Sequence, residues 1–324
     1  MNKSIAEIKK EYSELYQYLA PSYASIGLAK DLWGVWERDG VAPPDLDSIV
    51  SNTLSFEDGF FQDIVQVASK VYGQKLHIDY CPFILDDYKM CACTASDGYL
   101  VIIDETFFKM LFSMTNILMF EVNNLIEEDE EELFSDLIRN IINEFVEATP
   151  FKPFNRHSDK ELSQLYERSY EISEFGVFLF QSFKIFILAH EISHHILQHT
   201  QGLTERHFSQ SNNYVSIVID KRSYESEFEA DLLAYEIFRA TMNTVDGSLK
   251  YAACIYRFEF APLYLFDIFD KIDRYREEKD NRKIQYISHP SPNDRKKNLL
   301  NRFKISDTSI LYDNLKCALD SYVR

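Results

Sequence analysis

The most informative segment of the chain reads Ala189-His190-Glu191-Ile192-Ser193-His194-His195. It lies late in a long apolar stretch with helical periodicity, and residues four apart on a helix share one face. His190 and His194 can therefore each direct a ring nitrogen at one point and provide two corners of a tetrahedral zinc site. Glu191 lies one residue further round the helix, where its carboxylate can accept a proton from water that the metal activates. This HExxH arrangement predicts metal-assisted hydrolysis.

A catalytic zinc ion takes a third protein ligand and keeps one position open. Further along the chain, a second helical segment contains Glu227-Phe228-Glu229-Ala230-Asp231, with Glu227 and Asp231 four residues apart on one face. Glu227 is the predicted third ligand, and Asp231 is predicted to accept the outer N–H of a ligand histidine, His190 in the first instance. Taken alone, this pair could also belong to a solvated acidic helix face, since other glutamates lie nearby.

A third element, Ser288-His289-Pro290-Ser291-Pro292-Asn293-Asp294-Arg295, is typical of the start of a helix, with a serine cap and a proline in the first turn. His289 lies just outside that helix. It could stabilise the oxyanion that develops when water attacks a peptide carbonyl, or it could only cap and pack, and the spacing does not decide. Arg295, on the first turns, could clamp an acidic partner such as Asp231.

Together, the segments HEISHHILQH, EFEAD and SHPSPNDR resemble the signature of HtpX-type and CAAX-prenyl-type gluzincin metallopeptidases. They are more similar still to the Lit-type phage-exclusion peptidases of bacteria. The similarity covers roughly residues 175 to 300, and the first 150 residues carry no motif that matches. The resemblance implies a zincin-like fold, a zinc-dependent endopeptidase and a folded host protein as the substrate during infection, a translation elongation factor in the Lit-type case. The chain lacks the spanning helices of HtpX-type members, which argues against a membrane-protein substrate.

The resemblance also implies roles for individual residues. One zinc ion per chain would be bound by His190, His194 and Glu227. The catalytic groups would be Glu191, as the general base, and His289. Asp231 and Arg295 would support the metal ligands from outside.

Two further histidines follow the motif, and both are predicted to be structural or to lie at the rim of the site. On a continuing helix His195 and His199 are turned by roughly 100° and 140° from His194, so neither can reach the same metal. A metzincin would carry a glycine and a third histidine where this chain has Leu197 and Thr200, so that class of metallopeptidase is excluded.

The pattern along the chain predicts an α+β fold that is mostly helical, with a small antiparallel sheet before the HExxH helix. The predicted strands are Leu76 to Tyr80, Tyr88 to Thr94 and Tyr99 to Ile103. The main predicted helices run over Phe56 to Val71, Glu105 to Phe120, Glu131 to Val146, Ser158 to about Thr200, Tyr224 to Met242, Leu249 to Lys279, Ser291 to Phe303 and Asp307 to Tyr322. A helical extension is predicted over 1–56 and a zincin-like domain over 57–324, with a possible subdomain boundary near 150–157.

Composition sets limits on partners and compartment. The 324 residues include 34 Lys and Arg against 52 Asp and Glu, a net charge of −18, which argues against nucleic acid as the main partner. The first eleven residues are charged and show no secretory signal. The apolar run Phe175 to Ala189 is shorter than the roughly 20 residues that a membrane-spanning helix needs. We therefore expect no membrane association and a cytoplasmic location.

Five cysteines are an odd number without the spacing of a disulfide framework, which indicates reduced thiols. Cys91 and Cys93, together with Cys81, could form a site for a soft metal. Alternate residues of a strand point to opposite faces of the sheet, however, so buried structural thiols are the favoured interpretation.

These features predict a zinc-dependent endopeptidase that acts on a protein substrate, with Tyr224 or Tyr235 as further candidates to assist the oxyanion. The alternative is a non-catalytic, zinc-stabilised regulatory or interaction protein. A purely structural zinc site normally closes the fourth position with Cys or His and has no use for Glu191, so the enzyme is favoured. A third hypothesis is a self-cleaving or partner-activated toxin. Substrate, trigger and oligomeric state are not determined by the sequence.

Overall fold

The computed structural model of the chain describes residues 3–10, 46–83, 91–124, 126–127, 130–147, 170–200, 203–210, 213–220, 223–244, 258–286, 289–303, 305 and 310–322. Its long helices are α1 Leu46–Tyr72, α2 Glu105–Val122, α3 Glu131–Glu147, α4 Tyr170–Ile196, α5 Tyr224–Met242, α6 Ala261–Asp280, α7 Pro292–Phe303 and α8 Ile310–Tyr322. Its strands are β1 Ile78–Phe83, β2 Cys91–Thr94, β3 Tyr99–Asp104, β4 Leu203–Gln210 and β5 Asn213–Asp220. The fold is therefore α+β and mostly helical, as the sequence predicts.

The sheet is mixed, so the prediction of an antiparallel sheet is wrong. The strand order is β1-β3-β2-β5-β4, and β1 runs parallel to β3 while β2 runs antiparallel to it. Because β3 lies between β1 and β2, these two consecutive strands form no hairpin. β3 carries an unbroken apolar run, Leu100 to Ile103, whose four side chains are all fully buried. A run of this kind is typical of a central strand covered on both faces rather than of an edge strand.

The hairpin of β4 and β5 follows the HExxH helix, in a stretch for which the sequence analysis predicted no strand. The two strands pair in antiparallel register from Leu203 with Asp220 to Gln210 with Asn213. β5 then joins β2 through the pair Cys93 and Ile219. The β-branched alternation of the sequence over 214–219 is the signal for this strand.

Helix α4 forms the centre of the core and carries both histidines of the motif. It packs against α1, α2, α5 and α6 and against strands β2 and β3. Among the residues that the structure describes, the segment Phe175–Ile196 of this helix is the one that is long and apolar enough to cross a membrane. Of its apolar window, 83% is buried inside the fold, which is what a central core helix requires.

The predicted domain division has two boundaries, one at residues 56 and 57 and a possible one near residues 150–157. The boundary at residues 56 and 57 lies inside helix α1, which is continuous from Leu46 to Tyr72. The boundary near 150–157 lies outside the described residues, as does most of the predicted helical extension over 1–56. The division into an extension and a metallopeptidase domain stays a prediction.

Gly176 allows α4 to approach α2 closely. A Cβ atom at this position would lie 2.5 Å from Oδ1 and 3.1 Å from Cγ of Asn116. We expect Gly176→Ala to lower the free energy of unfolding by about 1 to 3 kcal/mol through overpacking, measured by urea denaturation. Gly59→Ala is the control, because Gly59 is exposed in α1 with nothing within 4 Å of an added Cβ. That variant should be up to about 1 kcal/mol more stable, and equal effects of both variants would contradict the prediction.

Candidate metal centre

Helices α4 and α5 bring the three predicted metal ligands together. His190 and His194 lie one turn apart on α4, and their Nε2 atoms are 3.0 Å from each other. Glu227 lies in the first turn of α5, which begins with Ser223 as a cap whose hydroxyl accepts the N–H of Ser226 at 3.1 Å. Burial leaves 5% of His190, 0% of His194 and 1% of Glu227 exposed. Burying these groups together is costly unless they satisfy one another or bind a cation.

The spacing of these ligand atoms fits a four-coordinate metal ion. Oε2 of Glu227 is 3.4 Å from Nε2 of His190, and Oε1 is 3.4 Å from Nε2 of His194. In a tetrahedral site with bonds of about 2.0 to 2.2 Å, neighbouring ligand atoms are roughly 3.3 to 3.6 Å apart, so both oxygen–nitrogen distances match, whereas the 3.0 Å between the two histidine nitrogens is shorter. The three side chains offer one ligand atom each, all within 4.8 Å of one another. This buried group could hold a metal ion.

Asp231 lies behind His190 on the side away from the other ligands. Its Oδ1 is 2.9 Å from Nδ1 of His190, and the carboxylate is fully buried. An ionised carboxylate only accepts hydrogen bonds, so Nδ1 of His190 is the donor and Nε2 presents its lone pair to the group. The structure thus places Asp231 in the position predicted for it.

Arg295, near the start of α7, binds Asp231 with two hydrogen bonds. Its Nε and Nη2 donate to the two carboxylate oxygens at 2.8 and 2.6 Å, and its guanidinium lies over the ring of Phe266 at 4.9 Å. Burial would raise the pKa of Asp231, but Arg295 and the hydrogen bonds from Arg295 and His190 lower it below its usual value. Burial and Arg295 lower the pKa of His190, whereas the hydrogen bonds to Asp231 and Glu227 leave it raised overall.

His289 lies at the open side of the group. Its Nδ1 is 3.3 Å from Oε1 of Glu227, and 32% of its side chain is exposed, far more than for the three ligands. Arg295 also approaches this carboxylate, with Nη1 3.6 Å from Oε2. The structure therefore places His289 and Arg295 beside Glu227.

Glu191 is buried between α4 and the sheet, with 3% of it exposed. Its Oε2 accepts a hydrogen bond from the backbone N–H of Ala92 in β2 at 2.8 Å. This backbone contact fixes one carboxylate oxygen against the sheet. No sequence pattern indicates this contact, because any residue other than proline can supply a backbone N–H.

The cysteines of the sheet are buried thiols. Cys81 and Cys93 are free, and burial raises the pKa of each to about 12. Among the described residues, the group that could hold a metal consists of histidine and glutamate without cysteine. The favoured interpretation of these cysteines as structural agrees with their burial, whereas the side chain of Cys91 lies outside the described part of the structure.

Neither His195 nor His199 belongs to the group of three candidate metal ligands. Nε2 of His195 is 3.2 Å from the carbonyl oxygen of Leu100 in β3, a structural contact. Helix α4 ends at Ile196 and not near Thr200 as predicted, because Gln198 adopts a left-handed conformation with φ of 57°. The chain then turns back, and Nδ1 of His199 comes within 3.1 Å of Nδ1 of His194. The sequence analysis missed this contact.

The two tyrosines proposed for the oxyanion make other contacts. The hydroxyl of Tyr224 donates to the backbone carbonyl of Tyr286. Tyr235 is buried with its hydroxyl 3.5 Å from the carbonyl oxygen of Glu259, and burial raises its pKa to about 12. Both hydroxyls are thus engaged with backbone carbonyls.

Comparisons with protein-family models, with curated proteins and with solved structures found no match to this chain. The interpretation of the site therefore depends on its own residues and geometry.

Proposed function

We propose that this chain is a zinc-dependent endopeptidase in which Glu191 is the general base. The observation that supports this most directly is the convergence of His190, His194 and Glu227 from two helices, with Glu191 next to His190 in the chain and hydrogen-bonded to the sheet. A carboxylate one residue along the helix from a metal ligand is the group that we assign to accept a proton from water.

Zinc is the metal that this donor set favours. Two imidazoles and one carboxylate, with a fourth position left for water or substrate, are the ligands of a catalytic zinc ion. Asp231 accepts a hydrogen bond from Nδ1 of His190 and is itself bound by Arg295. These bonds fix the orientation of the His190 ring, as carboxylates do around catalytic zinc ions. When bound, zinc supplies the Lewis acidity that activates water and polarises a carbonyl near neutral pH.

Residues of the chain transfer the proton and stabilise the oxyanion. Glu191 takes the proton from the attacking water and delivers it to the amine that leaves when the peptide bond breaks. In this proposal His289, half-buried beside Glu227, donates a hydrogen bond to the oxyanion of the tetrahedral intermediate.

The proposed substrate is a protein, and the proposed setting is the bacterial cytoplasm during phage infection, with a host translation factor as the candidate target. This part of the proposal is supported by the resemblance of the three motifs to Lit-type peptidases.

The test combines metal analysis with a search for cleaved proteins. Purified wild-type protein and Glu191→Gln are expected to contain one zinc ion per chain by mass spectrometry of the metal. Cells that express the wild type, with and without phage infection, are expected to show new protein termini that are absent with Glu191→Gln. Zinc-free wild-type protein would contradict the metal assignment. Zinc binding that stabilises the fold, without new termini under either condition, would favour the non-catalytic alternative, and cleavage of the chain itself would favour the toxin.

A further inference from the structure

The ring nitrogen of His194 that faces away from the other ligands contacts a histidine, His199, whereas the corresponding nitrogen of His190 contacts the carboxylate of Asp231. Nδ1 of His194 faces Nδ1 of His199 at 3.1 Å, and Nε2 of His199 faces Oε2 of Glu229 at 3.0 Å. The side chain of His199 is 10% exposed and that of Glu229 is 64% exposed, so the three groups lead from the buried site to the surface.

The carboxylate at the outer end determines where the protons lie. Glu229 only accepts, so His199 carries a proton on Nε2 and, when its ring holds one proton, presents the lone pair of Nδ1 to His194. Nδ1 of His194 must then be the donor across the 3.1 Å contact. This leaves the lone pair of Nε2 on His194 directed at the group of metal ligands.

The opposite arrangement is disfavoured by the same contact. Nε2 of His194 lies 3.0 Å from Nε2 of His190 and could donate a proton to it. His194 would then have to accept at Nδ1, and a singly protonated His199 would have to turn an unprotonated Nε2 towards the carboxylate of Glu229. Two acceptors at 3.0 Å repel each other, so Glu229 favours the form of His194 that can bind a metal. In that form the Nε2 lone pairs of His190 and His194 face each other at 3.0 Å, a repulsion that a metal ion between them removes.

We propose that His199 and Glu229 are positioning residues that hold His194 in its metal-binding tautomer, the role that Asp231 has for His190. The inference rests on the proposed metal site and deepens it. Partners of this kind orient ligand imidazoles and typically change metal affinity by 10- to 100-fold when they are removed.

The first experiment measures zinc affinity by competition with a chromophoric chelator. We expect His199→Ala to weaken zinc binding about 10- to 100-fold, and Glu229→Gln to weaken it less, because Glu229 is exposed to water. Adding Glu229→Gln to His199→Ala should have no further effect, since the carboxylate acts only through the imidazole. His199→Asn should restore most of the affinity, because its amide oxygen can accept the N–H of His194 where Nδ1 of His199 did.

Glu236→Gln is the matched control. Glu236 is exposed two turns further along α5 and loses the same charge. Zinc affinity should be unchanged in this variant. Equal affinities of wild type, His199→Ala and Glu229→Gln would overturn the inference while leaving the metal site intact, whereas a wild type that binds no zinc would overturn the proposed function itself.

The tautomer can be read without any metal. In metal-free protein labelled with ¹⁵N-histidine, the signals of His194, assigned by comparison with His194→Gln, should show a larger share of Nδ1–H in the wild type than in Glu229→Gln. In Glu229→Gln the population should move towards Nε2–H. An unchanged tautomer in Glu229→Gln would overturn the inference. This surface substitution also covers the case in which His199→Ala fails to fold.

Discussion

Glu191→Gln is expected to lower the rate of peptide-bond cleavage by about 10²- to 10⁴-fold, the usual contribution of a general base, with one zinc ion per chain retained. The amide has nearly the shape of the carboxylate, and its oxygen can still accept the N–H of Ala92 that Oε2 accepts at 2.8 Å. The amide cannot take a proton from water. Zinc binding depends on His190, His194 and Glu227, which this substitution does not touch.

The measurement is a single-turnover cleavage assay on a peptide that spans a mapped cleavage site, run beside metal analysis of the same samples. Glu225→Gln is the control, because it removes an exposed carboxylate from the first turn of α5. Equal rates for wild type and Glu191→Gln, both loaded with zinc, would show that another group removes the proton.

The candidate metal ligands could be predicted because the signal for each pair of residues lies within one helix. On a helix, the spacing of His190 and His194 fixes a shared face, and the spacing of Glu227 and Asp231 does the same on α5. The only long-range step was the pairing of these two helices. The chemistry suggested it, since a catalytic zinc ion needs a third ligand. The helix over Tyr224 to Met242 has the bounds that the sequence predicted.

The sheet could not be predicted in the same way, because strand order depends on contacts between distant segments. A turn signal predicts a hairpin only when its two strands are neighbours, as for Ser96 to Gly98 between β2 and β3. β1 pairs instead with the far side of β3. The contact of Ala92 with Glu191 depends on that arrangement, so a residue without a functional side chain became part of the site.

The position of His199 depended on one backbone angle. A helix that continued past Ile196 would carry this side chain away from His194, and the prediction assumed that it did. The left-handed conformation of Gln198 ends the helix, and the N–H of His199 bonds to the carbonyl of His194 at 2.9 Å. Glutamine is not a typical residue for this conformation, which glycine or asparagine usually supplies. The sequence therefore gave no clear stop signal.

Asp231→Leu is expected to lower the free energy of unfolding of metal-free protein by about 3 to 5 kcal/mol, the cost of breaking a buried ion pair. The substitution keeps the branched shape and the number of side-chain heavy atoms but leaves Arg295, 16% exposed, without the carboxylate that accepts its hydrogen bonds at 2.6 and 2.8 Å. Urea denaturation in the presence of a chelator measures the effect. Asp136→Leu is the control: its pair with Arg139 is exposed at both ends, and it should change stability by less than about 1 kcal/mol.

The double variant Asp231→Leu with Arg295→Met separates the cost of leaving a buried charge unpaired from the contribution of the ion pair to the free energy of unfolding. A buried pair replaced by apolar residues of similar size is often neutral, because the cost of removing two charges from water disappears with the pair. The aliphatic side chain at position 295 can still pack on Phe266, over whose ring the guanidinium lies. We therefore expect the double variant to be more stable than Asp231→Leu alone.

The double variant should still bind zinc more weakly than the wild type, since the carboxylate that accepts the Nδ1–H of His190 is gone. If the two substitutions lowered stability additively, Asp231 and Arg295 would not act as a pair, and the orientation of His190 would have to depend on other contacts.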